Sequence, residues 1–324
     1  MKLFKSILTQ HIEDFIEYRI QLGYSEKMLT YSLKIFDQYV VEKKASQSSF
    51  TPLFFIKFRS DLKQENRSIN LIVRLIKIFF NFLVRKDVIR ENPLQDITGL
   101  PENDIIPFIF SPKETSLLIN TLIKLMRTTQ AFYLNDFGAY IAFLMMARCG
   151  LRTSETRYLL IKNYRPEERT IYIEKTKFKK DRLIPIPNVV ASEINNFLSV
   201  RRLFFDDDKN PLLLIKKDQT GFSRSSLDQR FKRALKHLHF NQIRRIVGTT
   251  NFCAPTHHSL RHSFAVNTLK RIKQQGKSPQ SALPVLAVYM GHKEYKYTTR
   301  YLRVLDAGHR RLLYDFSITM DGKR

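Results

Sequence analysis

A chain of 324 residues has room for two domains and a sizeable core, and a hydrophobic content of 43% excludes wholesale disorder. Its 55 Lys and Arg against 30 Asp and Glu leave a formal charge of +25, which points to a polyanionic partner, nucleic acid first, ahead of a generally basic protein or a membrane-surface binder. Two cysteines, Cys149 and Cys253, cannot build a disulfide framework, no run approaches the roughly 18 apolar residues of a membrane span, and the N-terminus has no signal-peptide core, so a cytoplasmic, DNA-associated chain with no membrane segment is expected.

Residues 5–22 place Ile7, Leu8, Ile12, Phe15, Ile16 and Ile20 at helical spacing, and Gly23 supplies a stop. Ser25 is an N-cap for a second helix running to about Val41. Thr51-Pro52 opens a third, with the proline in the first turn. Ser68 opens a fourth, through Phe79, Phe80, Phe82 and Leu83 to about Arg85, and Asn92-Pro93 closes the helical region. Residues 1–95 therefore read as a helical domain. Residues 96–110, with Pro101, Pro107 and little helical period, read as an interdomain linker, and residues 111–324 as a second domain. In that domain Ser111-Pro112-Lys113-Glu114 has capping-box spacing, and a longer helix spans about 134–147. The β-branched runs 171–174 and 183–186 flank a charged turn and predict a hairpin. Helices dominate from there to about residue 314, and the residues from Asp315 read as a mobile tail.

Four segments carry the parts of a metal-free phosphoryl-transfer site. In Gly150-Leu151-Arg152-Thr153-Ser154-Glu155 a glycine turn can present Arg152 into a cleft, with Glu155 placed to orient it or a backbone amide; a surface Arg–Glu pair is the alternative. The basic run 175–182 offers Lys175, Lys177, Lys179, Lys180 and Arg182 as phosphate contacts, and one of the lysines can protonate a leaving oxygen. His258 and Arg261 share a helix face, and the planar guanidinium suits bidentate phosphate recognition. Cys253, His257, His258 and His262 raise zinc as a rival, but the spacing fits none of the usual ligand patterns, so no metal and no cofactor are expected. His262, abutting Phe264 and Ala265, reads as a buried structural histidine. Gly291 ends an apolar helix and exposes His292 in the turn, and Tyr301 stands nine residues on, with Tyr289, Tyr295 and Tyr297 as competing nucleophiles.

With these residues in place, the chain resembles the tyrosine recombinase (phage-integrase-like) family over nearly its whole length. Residues 147–155 look like the family's first arginine box, residues 256–265 like its His-x-x-Arg box, and residues 289–292 with 298–302 like its last histidine and nucleophile segment. The family's catalytic lysine precedes an Arg-x-x-Pro strand, here Arg182-Leu183-Ile184-Pro185, which selects Lys177. The resemblance implies a mainly α fold with a small antiparallel β-sheet. Residues 1–95 would be a four-helix core-binding (SAM-like) domain, and residues 111–324 a mixed α/β tyrosine-recombinase catalytic domain ending in a tail. It leaves no room for an arm-binding domain. It implies Arg152, Lys177, His258, Arg261, His292 and Tyr301 as the catalytic set, with Glu155 and His262 in support. The partners implied are double-stranded DNA with paired inverted-repeat core sites, a homotetramer assembled on it, and accessory proteins. The implied activity is cutting and rejoining DNA through a 3′-phosphotyrosyl bond and a Holliday junction. A type IB topoisomerase and a non-catalytic DNA-binding relative are the alternatives.

Overall fold

The first helices form where apolar residues recur every three or four positions. In the computed structural model, which describes residues 3–304 apart from 175–180, 241, 293 and 303, α1 (Thr9–Gln21) buries Ile12 and Phe15, and α2 (Glu26–Glu42) buries Leu29, Leu33, Phe36 and Val40. Pro52 sits in the first turn of α3 (Pro52–Asp61), and Thr51 Oγ1 accepts the Phe54 amide at 3.3 Å. α4 (Asn66–Arg85) starts two residues ahead of Ser68, the expected cap, because Glu65 already holds the extended backbone that precedes the first turn. Its Ile72, Ile76, Phe79, Phe80 and Leu83 face the other three helices. Aromatic rings fill the centre, with Phe55–Phe80 edge-on at 4.9 Å and Phe36–Phe58 edge-on at 5.5 Å between centroids.

The chain divides into two compact units, Met1–Asn103 and Asp104–Arg324. The stretch expected as a linker, residues 96–110, is shared between them. Leu100 exchanges hydrogen bonds with the Asn70 side chain of α4 at 2.7 and 2.8 Å, and Arg59 Nη1 of α3 donates to Thr98 O at 2.7 Å, which ties residues 98–100 to both helices. The next residues form a strand of the second unit, β1 (Asp104–Ile106).

The second unit is built on α6 (Tyr133–Cys149). Phe137, Ile141, Leu144, Met145 and Met146 make it apolar on every side, so it is buried on every side. α5 (Pro112–Lys124) packs on it and carries the capping box read from sequence. Ser111 N donates to Glu114 Oε2 at 2.7 Å, and Glu114 N donates to Ser111 Oγ at 3.2 Å. After the short α7 (Thr153–Arg157), β2 (Tyr164–Arg165), β3 (Thr170–Ile173) and β4 (Arg182–Pro185) form an antiparallel sheet in which Ile171 pairs with Ile184 and Ile173 with Arg182. α8 (Asn188–Phe204) packs on α6, and α9 (Arg224–His237) packs on α5. A second sheet, not anticipated from the sequence, has the order β1–β6–β5, with β5 spanning Arg245–Val247 and β6 spanning Thr250–Phe252. β1 lies parallel to β6, so Asp104 pairs with Thr250 across a long stretch of chain. Three-residue strands leave no alternating pattern to read. α10 (His257–Gln274) packs on α6, and α11 (Pro279–Met290) packs on α10; residues 296–302 form a last helical stretch.

Phe110 is fully buried, its amide donates to Ser263 Oγ at 2.8 Å, and Asn267 Nδ2 reaches its carbonyl at 3.0 Å, so the segment after β1 is clamped to α10. A fragment starting at residue 104 is therefore expected to melt cooperatively. One starting at residue 112 should be less stable by about 3–5 kcal/mol, the cost of deleting a buried Phe, with the β1 pairing lost in addition. Equal chemical-denaturation midpoints for the two fragments would contradict this.

Candidate active site

The centre of the site is a carboxylate between three guanidinium groups. Glu155, on α7, accepts Arg152 Nη1 at 2.7 Å and the Arg152 backbone amide at 2.8 Å, so it orients both the side chain and the turn. From β4, Arg182 reaches the same carboxylate with two donors at 3.0 and 2.9 Å, and from α10 Arg261 Nη1 lies 3.7 Å away. Burial alone would raise the Glu155 carboxyl, but the hydrogen bond and charge of Arg182, then the charges of Arg261 and Arg152, outweigh it and bring the group down to about 2.

The opposite side of the three arginines is held by one helix end. Three successive carbonyls at the C-terminus of α11 each take one of them. Tyr289 O accepts from Arg182 Nε at 2.8 Å, Met290 O from Arg261 Nη2 at 2.5 Å, and Gly291 O from Arg152 Nη2 at 2.7 Å. These carbonyls have no partner within the helix and sit at the negative end of its dipole, so cations belong there. The end of α6 repeats the arrangement, with Gly150 O accepting from Arg261 Nη1 at 2.5 Å. Both helix ends need glycine. Gly150 and Gly291 each have φ of +62°, and a Cβ would lie 2.5 Å from the Phe264 ring at the first and 2.8 Å from Arg182 Nη1 at the second.

Tyr301 and the histidines line the same place from α10 and the last helical stretch. Tyr301 is 5% exposed and packs with Ala265, Val266, Leu269 and Met290. Its hydroxyl lies 3.1 Å from His262 Nδ1, and its ring stacks on His292 at 6.0 Å. The His258 ring stands edge-on to His262 at 4.7 Å. His292 Nδ1 is 2.6 Å from the hydroxyl of Thr298, which is fully buried. Burial, reinforced by the charge of Arg261, lowers His258 to about 4 and His292 to about 3, so both rings are neutral near pH 7. Burial raises the Tyr301 phenol, while Arg261 and Arg152 act against that rise.

Six sequence-selected residues thus share one pocket of structure: Arg152, Glu155, His258, Arg261, His292 and Tyr301. His262, read from its neighbours as structural and expected in support with Glu155, joins them by its contact with Tyr301. Lys175, Lys177, Lys179 and Lys180, and the tail from Asp315, lie outside the described residues. Arg182 requires a correction. Expected as a DNA contact, it is 8% exposed, and Nε, Nη1 and Nη2 all bond inward to Glu155 and Tyr289, so its guanidinium orients the site from behind. The competing tyrosines differ from Tyr301. Tyr295 and Tyr297 are exposed, and Tyr289 stacks on Phe264 with its phenol pushed upward by burial. His257 is buried beside the Asp228 carboxylate at 2.6 Å. Among the described residues, no three His, Cys, Asp or Glu side chains converge as a metal-holding group. Among the same residues, no helix is long and apolar enough to cross a membrane.

A profile described as the phage integrase family matches residues 115–307, more than half of the chain. The chain belongs to the phage integrase family, that of the tyrosine recombinases. Within this family, tyrosine recombinase XerA of Pyrococcus furiosus is 26% identical over 305 residues, covering 93% of this chain and 91% of its own. Tyrosine recombinase XerC of Alcanivorax borkumensis is 25% identical over 258 residues, covering 78% and 73%. Among solved structures, the XerH site-specific recombinase bound to its difH substrate superposes with a TM-score of 0.66 at 16% identity, covering 92% of this chain and 83% of that one. A λ integrase dimer bound to a COC′ core site gives 0.63 at 12% identity, covering 91% and 76%. At these identities the structural likeness establishes a shared fold.

Proposed function

We propose that this recombinase cuts and rejoins double-stranded DNA at specific sites through a covalent bond to Tyr301. The observation that carries the reading is the convergence of Arg152 and Arg261, fixed by Glu155 and the α11 carbonyls, beside His258, His292 and the Tyr301 hydroxyl. The Tyr301 oxygen attacks the scissile phosphorus, the bond to the 5′-oxygen breaks, and a 3′-phosphotyrosyl link with a free 5′-hydroxyl remains. Arg152 and Arg261 stabilise the charge on the non-bridging oxygens, His292 adds a hydrogen bond, and His258 assists proton transfer. The phosphotyrosyl link retains the energy of the broken bond, so rejoining by a second strand's 5′-hydroxyl needs no ATP. The arginines meet the phosphate charge in the place a cation would take.

XerH and λ integrase are seen on DNA sites, and the same class of partner is proposed here. The +25 charge supports many phosphate contacts. Paired inverted repeats of about one helical turn each would seat two protomers per site. Four protomers on two sites would exchange strands in pairs through a Holliday junction. A supercoiled plasmid with two core sites tests this reading. Deletion or inversion between the sites is the expected product. Relaxation without exchange would mark a type IB topoisomerase, and a mobility shift without any covalent adduct would mark a DNA-binding relative.

Lys177 is proposed as the acid that protonates the leaving 5′-oxygen. Lys177→Ala should slow cleavage by about 10²–10⁴-fold and recover on a substrate with sulfur at the bridging position, because a thiolate leaves without a proton. Recovery shown by Lys175→Ala or Lys179→Ala, and absent for Lys177→Ala, would move the role to another lysine.

A further inference from the structure

The phenol of Tyr301 must lose its proton as its oxygen bonds to phosphorus, and the structure shows where that proton can go. Among the described residues, the contact at hydrogen-bond distance from the hydroxyl is His262 Nδ1, at 3.1 Å. Tyr301 is held there by its packing against Ala265, Val266 and Leu269, which lie on the same helix as His262. The hydroxyl and the imidazole are therefore mutually fixed before DNA arrives.

We propose that His262 is the proton acceptor for the nucleophile, acting directly on Tyr301, with His258 placed behind it. In cleavage the Oη–P bond forms, the P–O5′ bond breaks, and the Oη proton moves to the Nδ1 lone pair. The 5′-oxygen takes a proton from the general acid. In rejoining, the attacking 5′-hydroxyl gives its proton back to the general acid, now in its basic form, the O5′–P bond forms as the Oη–P bond breaks, and His262 returns the first proton to Tyr301, so each half-reaction balances.

The ring is unprotonated and weakly basic in the free protein, and an anion bound beside it raises its basicity. Burial, followed by the charges of His258, Arg261 and His292, lowers His262 to about 3, so the ring is neutral near pH 7. A neutral ring carrying its proton on Nε2 presents a lone pair at Nδ1. The phosphate of the bound DNA supplies the negative charge that a transient imidazolium beside Arg261 requires. The His258 ring stands edge-on to His262 at 4.7 Å.

This proposal rests on Tyr301 being the nucleophile, and the test separates the two. The unaltered protein is first trapped on a nicked duplex, and the adduct is mapped by peptide mass. An adduct elsewhere than Tyr301 overturns the nucleophile reading and this proposal with it. With the adduct on Tyr301, His262→Ala and His262→Asn are compared for single-turnover cleavage, DNA affinity and melting temperature. The Asn side chain can still accept a hydrogen bond from Tyr301 but cannot take its proton. Both variants are expected to bind DNA normally and to cleave at least about 100-fold more slowly, a loss typical of general-base removal. A fluorinated tyrosine at position 301, whose phenol ionises more readily, should restore most of the rate in His262→Asn and change the unaltered protein little. Wild-type cleavage by His262→Asn would reduce His262 to a positioning role and overturn the proposal. A slow His262→Asn that the fluorinated tyrosine does not restore would overturn it as well.

Discussion

Tyr301→Phe is expected to bind DNA with unchanged affinity and to form no covalent adduct. The ring keeps its contacts with Leu269, Met290 and His292, because the substitution removes one oxygen from a side chain that is 5% exposed. Among the described residues, the hydrogen bond lost is the 3.1 Å contact with His262, which costs about 1 kcal/mol of stability. The reaction loses its nucleophile altogether. The measurement is a denaturant-resistant adduct on a nicked duplex, alongside a mobility shift on intact DNA. An adduct persisting in the variant and mapping to Tyr295 or Tyr297, both exposed, would refute the assignment.

Glu155→Gln is expected to cost about 3–5 kcal/mol of stability, because it leaves buried guanidinium groups without their counter-charge. Arg182 and Arg261 are 8% and 2% exposed, so solvent cannot replace the carboxylate there. Cleavage should fall as well, since Arg152 loses the partner that holds its fork at 2.7 Å. The effect has a pH signature. The Glu155 carboxyl is lowered from its ordinary 4.5 to about 2, so its stabilising contribution is fully present above about pH 4.5 and is lost as the pH falls towards 2. The stability gap between the unaltered chain and Glu155→Gln, followed by urea unfolding, should therefore be widest near neutrality and narrow below pH 4.5. A gap that stays constant to pH 3 would mean that the three arginines are held by the helix carbonyls alone.

The local features of the fold were legible because local rules produce them. Spacing of apolar residues placed α1, cap and first-turn residues placed α2 to α4, the Ser111–Glu114 box placed the start of α5, and β-branched runs placed β3 against β4. Each of these depends on residues a few positions apart, or on one hairpin. The sheet that joins β1 to β6 depends on residues far apart in the chain, and its strands are too short to show a period. Residues 98–103 carry Pro101 and polar residues and look like linker, yet the Asn70 side chain binds Leu100 from 30 positions away.

The sequence by itself determined the order and spacing of the functional residues. The turn glycines at 150 and 291, the His258–Arg261 helix face and the nine-residue step from His292 to Tyr301 are properties of short segments. Only the tertiary structure decided which way the charged side chains point. Arg182 reads as one more cation in a basic run, and the fold turns it inward, onto Glu155 and the end of α11. His262 reads as core, and the fold sets it against the Tyr301 hydroxyl. The reason is physical. A buried charge or a helix-end carbonyl must find a partner wherever the chain brings one, and here Arg152 and Gly291 meet across 139 positions of sequence, a pairing that no local pattern encodes.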